Sequence, residues 1–193
     1  KPMGKDSGKG IQVLEASKCS FRELIKSGPF IVEELINQSE IMASFHEKSV
    51  NTIRITTVLC NDGVHILGAC FRMGIGNSIV DNTGSGGIIA SVDEESGIVY
   101  TKAISEFYSH KYIRHPDSKK IILGLQMPDW DNLIQIVKEA AMVLSEMRYV
   151  AWDFAHTNDG WVLVEANGSG KFGMQMTDKI GRKNELLELI NKK

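Results

Sequence analysis

The sequence lacks the features that mark membrane-spanning, secreted and nucleic-acid-binding proteins. Its 193 residues include only three cysteines. No apolar run reaches the roughly 18 residues that a membrane span needs, and the first residues show no signal-peptide pattern. The net charge of -2 offers no basic surface for nucleic acid or for an anionic membrane. We therefore expect a cytoplasmic globular protein with no nucleic-acid partner.

The cysteines and histidines form no recognisable metal or catalytic motif. Cys19, Cys60 and Cys70 are odd in number and lack metal-ligand spacing, so we interpret them as reduced thiols that fill the core. The five histidines show no paired spacing, and no Ser-His-Asp order is visible. Only His156 is close in sequence to candidate acids.

The most informative segment is near the C-terminus. Two apolar runs flank the turn 158–160, a pattern that predicts a β-hairpin. Glu165 and Asn167 are two residues apart on the second strand and share a face, which Asp153 on the first strand can also share. Such acids are often plain surface residues, but an acid in an apolar strand needs a partner or a cation. Three oxygen donors at one point would suit Mg²⁺ held together with substrate phosphates.

A glycine-rich loop and an acidic strand end are the next candidates. Residues 4–10 contain three glycines and two lysines and follow Lys1, so backbone N–H groups and charge could hold a phosphate. The loop is not a Walker motif, and an ordinary surface loop explains it equally well. Residues 30–36 predict a buried strand ending in acids, with Glu40 downstream. Such a strand end either lines a nucleotide base pocket or is simply amphipathic.

Two arginines lie on the arms of a predicted hairpin, residues 52–59 and 64–72. Arg54 and Arg72 are embedded in apolar strands and therefore need an anion, either a phosphate or a structural acid partner. Asp81 and Asn82, before a glycine-rich stretch, form either a substrate-contacting loop or a plain turn.

The remaining pattern indicates an α+β fold. Residues 130–148 predict one long amphipathic helix, with Asp129 as its N-cap. Hairpins separated by helices predict an antiparallel sheet covered by helices on one face. We place a boundary between two lobes near residues 37–39, so that 1–37 and 38–193 form separate domains.

The order of these pieces resembles the ATP-grasp superfamily. Lys-Pro and the glycine-rich loop come first, then Val32-Glu33-Glu34-Leu35-Ile36 with Glu40, then the basic hairpin, and finally Asp153 with Glu165-Ala166-Asn167. The resemblance extends from Lys1 to about Gln175. The middle, from Asn51 through Arg72 to the glycines at 86–87, is similar to the sugar-transfer-associated branch, also described as glutamate-ligase-like.

The resemblance implies two α+β lobes that grip ATP. Residues 1–37 would be the remainder of the smaller lobe, with the phosphate loop and hinge strand, and 38–193 the C-terminal lobe with the metal site. The chain has no initiator Met, and Lys1 matches the middle of a motif. We therefore expect upstream sequence, including part of the nucleotide lobe, to be absent from this chain.

The resemblance also assigns roles to single residues. The expected ATP ligands are Lys1 and the loop glycines Gly4 and Gly8 at the phosphates, Glu33, Glu34 and Ile36 at the adenine, Glu40 at the ribose, and Arg72 at the terminal phosphates. The expected Mg²⁺ ligands are Asp153, Glu165 and Asn167, with Glu165 bridging two ions. Arg72, Glu165 and Asn167 are the expected catalytic residues, and Asp81, Asn82 and Ser169 the expected substrate contacts.

The implied reaction joins a carboxylate to an amine through an acyl phosphate, using ATP and Mg²⁺, on small or glycan-linked substrates. A phosphotransferase and a nucleotide-binding module without ligase activity are the alternatives. One departure from the family pattern concerns the arginine found two residues before the metal-binding Asp. Here that position is Ala151, and Arg54, Arg72 and Arg148 are the candidates to replace it.

Overall fold

The computed structural model describes residues 1–3, 10–105, 110–170 and 174–191. The chain divides into two compact units, Lys1–Asn37 and Gln38–Lys193. The first unit contains helix α1, Phe21–Leu24, and two 3-10 turns, Ala16–Lys18 and Ile25–Ser27.

The strand predicted at residues 30–36 is wrong. In the described part of the first unit, the strand-like pairing is one antiparallel bridge between Pro2 and Phe30, flanked by a 2.8 Å hydrogen bond from the Ile31 N–H to the Lys1 carbonyl. An extended segment becomes a strand only when a neighbour takes up its backbone hydrogen bonds. Among the described residues, the segment after Ile31 gains no such neighbour, and most of its side chains are exposed, including Val32 at 78% and Leu35 at 63%.

The second unit is built on a seven-stranded antiparallel sheet with the order β5-β4-β3-β2-β1-β6-β7. Its strands are β1 Thr52–Cys60, β2 Gly63–Met73, β3 Ile88–Val92, β4 Ala103–Ser105, β5 Lys111–Tyr112, β6 Tyr149–Thr157 and β7 Gly160–Asn167. Its helices are α2 Glu40–Ala43, α3 Trp130–Val143, α4 Met174–Asp178 and α5 Lys183–Asn191, with a 3-10 turn at Thr83–Ser85. Both predicted hairpins are confirmed as β1–β2 and β6–β7.

The main core lies between one face of the sheet and helices α2 and α3. Ile53 and Ile55 of β1 pack in one cluster with Leu133 and Val137 of α3. These alternate strand residues and helical neighbours bury a continuous apolar layer.

Helix α3 is shorter than predicted. It ends at Val143, whose side chain is 82% exposed, because the buried stripe stops at Ala141 and the chain must extend to start β6 at Tyr149. Asp129 is the N-cap residue, as predicted, but its backbone is left-handed (φ 43°) and its side chain makes no capping hydrogen bond.

Helices cover both faces of the sheet, whereas the sequence pattern indicated one. Thr177 of α4 hydrogen-bonds Ser91 of β3, and Leu189 of α5 packs on Val58 and Cys60. Val58 and Cys60 alternate with the core-facing residues of β1, so α5 lies on the opposite face. Within the described ranges, no helix combines the length and apolar character that a membrane crossing requires.

Candidate functional site

A β-bulge in the β6–β7 hairpin decides where Glu165 points. The register from the turn pairs Phe154 with Leu163, then shifts, so that Asp153 is opposite Glu165 and Val164 is the extra residue. A regular register would place Val164 opposite Asp153 and turn Glu165 to the other face. The bulge therefore brings the two acids onto one face of the sheet.

A second bulge, in the β1–β2 hairpin, decides which face of the sheet carries Arg72. The register shifts between Thr56 and Thr57, where Leu67 is the extra residue, and Arg72 then pairs with Thr52. Without that shift, Arg72 would lie on the opposite face from Thr52.

Strand β1 joins the two hairpins. Arg54 is opposite Asp153 in the β1–β6 register, and it shares a face with Thr52, two residues away. Arg54, Arg72, Asp153 and Glu165 consequently lie on the same face. Four charged side chains from four adjacent strands form one cluster.

Asp153 is the centre of this cluster. Arg54 donates to both of its carboxylate oxygens, from Nε to Oδ1 and from Nη2 to Oδ2, each at 2.6 Å. Arg72 donates from Nη1 to Oδ2 at 2.8 Å. Asp153 is 2% exposed and Arg72 is 5% exposed. The bidentate geometry and the exclusion of water make these contacts strong.

A second acid holds the other side of Arg72. Nη2 of Arg72 donates to Oδ1 of Asp81 at 3.2 Å and also to Oδ1 of Asn82. Asp81 in turn accepts from the backbone N–H of Thr52 at 3.1 Å and from the Thr52 hydroxyl. Gly87 closes this loop, since a Cβ there would lie 2.3 Å from the Asp81 carbonyl oxygen. The loop thus depends on a glycine for the close approach that positions Asp81.

Burial and neighbouring opposite charges shift the pKa values of these groups in opposite directions. Burial alone would raise the pKa of Asp153, but Arg54 and Arg72 together hold that pKa below its ordinary value. Burial raises the pKa of Asp81 in spite of Arg72 and Thr52. Burial would lower the pKa of Arg72, yet Asp81 and Asp153 raise it. Arg72 therefore remains a cation.

Glu165 lies at the open edge of the cluster. Its side chain is 46% exposed, and its Oε1 lies 3.9 Å from Nη2 of Arg54. Asn167 donates to the same oxygen at 3.1 Å. The two arginines and two acids of the cluster balance in charge, and the buried Asp81 adds a third carboxylate beside Arg72. Glu165 is the acid of the cluster that is open to solvent, and an exposed carboxylate attracts a cation.

The chain that carries this cluster matches a known protein family. A family model described as sugar-transfer associated ATP-grasp matches residues 21–191. The chain belongs to this family. A search of curated proteins finds no match. Membership of the ATP-grasp family implies an ATP-dependent, ligase-type function and nucleotide binding, typically with Mg²⁺.

The donor set fits the metal that ATP-grasp enzymes use. Asp153, Glu165 and Asn167 share a face and offer only oxygen atoms, apart from the amide nitrogen of Asn167. Hard oxygen donors suit Mg²⁺. Among the described contacts, Oδ1 of Asp153 accepts one hydrogen bond, which leaves a lone pair, and Glu165 is open to solvent.

The other expected ATP ligands come before β1 in the sequence. Gly4 and Gly8 lie outside the described residues. Lys1 is exposed in the first unit, where its terminal ammonium donates to the Ile31 carbonyl at 3.0 Å. Glu33, Glu34 and Ile36 lie in the extended segment without strand pairing, and Glu40 is the first residue of α2.

Two further candidates lie just outside the strands that carry the cluster. Ser169 is exposed, two residues beyond the end of β7. Nε of Arg148 donates to the Leu59 carbonyl at 2.8 Å, at the other end of β1 from Arg54. Of the three arginines that could replace the one absent at Ala151, Arg54 and Arg72 are in the cluster and Arg148 is not.

A hydrogen-bonded Ser-His-Asp series, which the residue order does not reveal, links the N-cap residue of α2 to β6. Ser39 Oγ lies 2.8 Å from Nδ1 of His156, whose Nε2 lies 3.2 Å from Oδ2 of Asp129. Ser39 is 5% exposed, and its N–H donates to the His156 carbonyl at 2.7 Å. A serine so buried is poorly placed to attack a substrate, so we interpret this series as a structural link in the ATP-grasp lobe.

Proposed function

We propose that this ATP-grasp protein is an ATP- and Mg²⁺-dependent carboxylate–amine ligase. The observation that carries the proposal is the single-faced cluster of Arg54, Arg72, Asp153 and Glu165, which two bulges assemble. Arginine forks suit phosphate and acyl-phosphate oxygens, and the acids beside them suit a metal ion that accompanies a nucleotide.

The proposed reaction has two steps. A carboxylate oxygen of the substrate attacks the γ-phosphorus of ATP, the bond from that phosphorus to the β–γ bridging oxygen breaks, and ADP leaves. The product is an acyl phosphate. An amine nitrogen then attacks the acyl carbon and loses a proton, the bond from carbon to the phosphate oxygen breaks, and an amide and inorganic phosphate result.

The residues of the cluster position charge for both steps. Asp153, Glu165 and Asn167 would hold Mg²⁺, which supplies charge neutralisation and Lewis-acid polarisation at the phosphates when bound. Arg72, fixed by Asp81 and Asp153, points a permanent cation at the terminal phosphates. Arg54 would stabilise the oxyanion that develops at the acyl carbon. It would take the role of the arginine that other ATP-grasp ligases have at the position of Ala151.

The family description supports a class of substrates. The family description associates these proteins with sugar transfer, which supports a carboxylate and an amine carried on small molecules or on glycan-linked compounds. Asp81, Asn82 and Ser169 are the proposed substrate contacts. Because Asp81 and Asn82 already bind Arg72, they would act chiefly by orienting that arginine.

Nucleotide binding is the first test. A non-hydrolysable ATP analogue titrated calorimetrically into the full-length protein should bind with Mg²⁺ and lose most of its affinity when the metal is chelated. Folded protein that does not bind the analogue would contradict the proposal and favour a module without ligase activity. A stable phosphorylated product, instead of an amide with free phosphate, would indicate a phosphotransferase.

The role of Arg54 has its own test. Arg54→Lys keeps the positive charge but loses the planar fork, so we expect kcat to fall by about a hundredfold, as when one oxyanion donor is removed. The matched control is Arg148→Lys, a substitution at the other end of β1, which should leave kcat close to that of the wild type. Equal kcat values for the two variants would remove Arg54 from the mechanism.

A further inference from the structure

The turn between β1 and β2 brings together three different kinds of metal ligand. Cys60 is the last residue of β1 and shares a face with Val58, two residues earlier. His65 of β2 is the cross-strand partner of Val58, so its side chain lies on that face too. Asp62 lies in the connecting turn. The sulfur, a ring nitrogen and a carboxylate oxygen of these ligands lie within 4.8 Å of one another.

Shifts of up to about 1 Å would bring these ligand atoms to the separations of a zinc site. Zinc binds sulfur at about 2.3 Å and nitrogen or oxygen at about 2.0–2.2 Å, so that ligand atoms in a tetrahedral site are roughly 3.3–3.7 Å apart. Nε2 of His65 now lies 2.7 Å from Oδ1 of Asp62. An ion entering between them would replace that hydrogen bond with two coordinate bonds.

The three ligands differ in their exposure to solvent. Cys60 is 7% exposed, whereas the side chains of His65 and Asp62 are 29% and 51% exposed. The sulfur therefore forms the floor of the site, and the other two ligands form its open rim. His65 also lines a surface groove of about 620 Å³, so this edge of the site meets solvent.

We propose that Cys60, Asp62 and His65 bind one Zn²⁺ ion, with solvent as the fourth ligand. A thiolate, an imidazole and a carboxylate form a mixed set that zinc accepts and that Mg²⁺ does not favour. The site is separate from the arginine cluster. Cys60 is six residues along β1 from Arg54, roughly 20 Å at the usual rise of a strand.

The ion would also change the contact between the turn and helix α5. Sγ of Cys60 donates to the Leu189 carbonyl at 3.1 Å, and Leu189 packs against Val58 and Leu67 beside it. Binding converts the thiol to a thiolate, releases a proton and ends that hydrogen bond. Because zinc would bind the folded state in preference to the unfolded one, it should raise the thermal midpoint of unfolding, and the rise should grow with the logarithm of the zinc concentration above the dissociation constant.

Cobalt(II) is the probe, because its spectrum reports the ligands. Titration of Co²⁺ into metal-free full-length protein should saturate at one equivalent. A thiolate-to-cobalt charge-transfer band and the visible bands of four-coordinate cobalt should appear, and Zn²⁺ but not Mg²⁺ should abolish both. Cys60→Ser should remove the charge-transfer band. His65→Ala and Asp62→Asn should weaken binding by about a hundredfold or more, since even outer-shell partners contribute about 10–100-fold.

Cys19→Ser is the matched control, because it removes a half-buried thiol of the first unit and should leave the titration unchanged. A charge-transfer band that survives in Cys60→Ser, or disappears in Cys19→Ser, overturns the proposal, as does the absence of saturable binding. If Cys60→Ser does not fold, the substitutions at the more exposed His65 and Asp62 decide the question, and unchanged cobalt affinity in both rejects the site.

Discussion

Glu165→Gln is expected to lower turnover of the full-length enzyme by about a hundredfold or more, the loss typical of removing one main electrostatic stabiliser. Glutamine keeps the size of the side chain but removes the negative charge proposed to hold Mg²⁺. Because Glu165 is 46% exposed, the free energy of unfolding should change by no more than about 0.5 kcal/mol. Steady-state phosphate release and urea unfolding measure the two quantities separately.

Glu146→Gln is the matched control for this prediction. It replaces an exposed glutamate between α3 and β6 and should affect neither measurement. Turnover of Glu165→Gln within about threefold of the wild type would exclude a main electrostatic role of the kind that costs a hundredfold, and with it the metal assignment. A large loss of stability would mean that the activity result reports unfolding and not catalysis.

Arg72→Met should destabilise the fold by about 3–5 kcal/mol, the usual cost of removing one partner from a buried ion pair. Methionine fills a similar volume but removes the cation beside Asp81. Asp81 is 7% exposed and would keep its hydrogen bond from Thr52 without a charged partner. Urea unfolding at neutral pH measures the loss. Arg114→Met, at an exposed arginine, should change the free energy of unfolding by no more than about 0.5 kcal/mol.

A second substitution tests whether Asp81 is the cause. Adding Asp81→Asn to Arg72→Met should recover at least about 1 kcal/mol, the coupling expected of residues in one network. Strict additivity of the two substitutions would contradict the proposed network. Asp153 still has Arg54 as a partner in both variants, so the comparison isolates the contact with Asp81.

The deficit of Arg72→Met should also depend on pH. Burial raises the pKa of Asp81 in the native protein, and removing Arg72 raises it further. An acid whose folded-state pKa exceeds its unfolded value of about 3.9 destabilises the fold as the pH rises from that value through the folded pKa. The deficit should thus be small in acid and grow toward neutral pH, and an equal deficit at all pH values would exclude Asp81 as its source.

Much of the sheet was predictable from local pattern, because β1–β2 and β6–β7 alternate apolar residues around short turns. The hinge strand was not, since the apolar residues at 30–36 look the same whether or not a neighbouring strand pairs with them. Helix α3 was predicted too long because Leu144 and Met147 continue its apolar spacing, yet they are 38% and 43% exposed.

The candidate site was predictable in composition and only partly in geometry. Asp153, Glu165 and Asn167 were chosen because they are acids and amides in apolar strands, and they do share a face. Regular pairing from the turn would have placed Asp153 and Glu165 on opposite faces of the sheet. No residue type in the sequence predicts the bulge at Val164 that brings them together. The sequence does not show that the thiol, acid and imidazole of the β1–β2 turn lie together, because their spacing fits no metal motif and only the hairpin register brings them close.

The two bulges make the site sensitive to the number of residues as well as to their identity. Lengthening the turn after Thr157 preserves every strand pair between that turn and Asp153. Deleting Val164 leaves every charged group in the chain but carries Glu165 to the opposite side of the sheet, and deleting Leu67 does the same to Arg72. Relatives of this chain should therefore vary freely in length at their hairpin tips, and a relative that keeps all four charged residues but loses one residue inside either hairpin should be inactive.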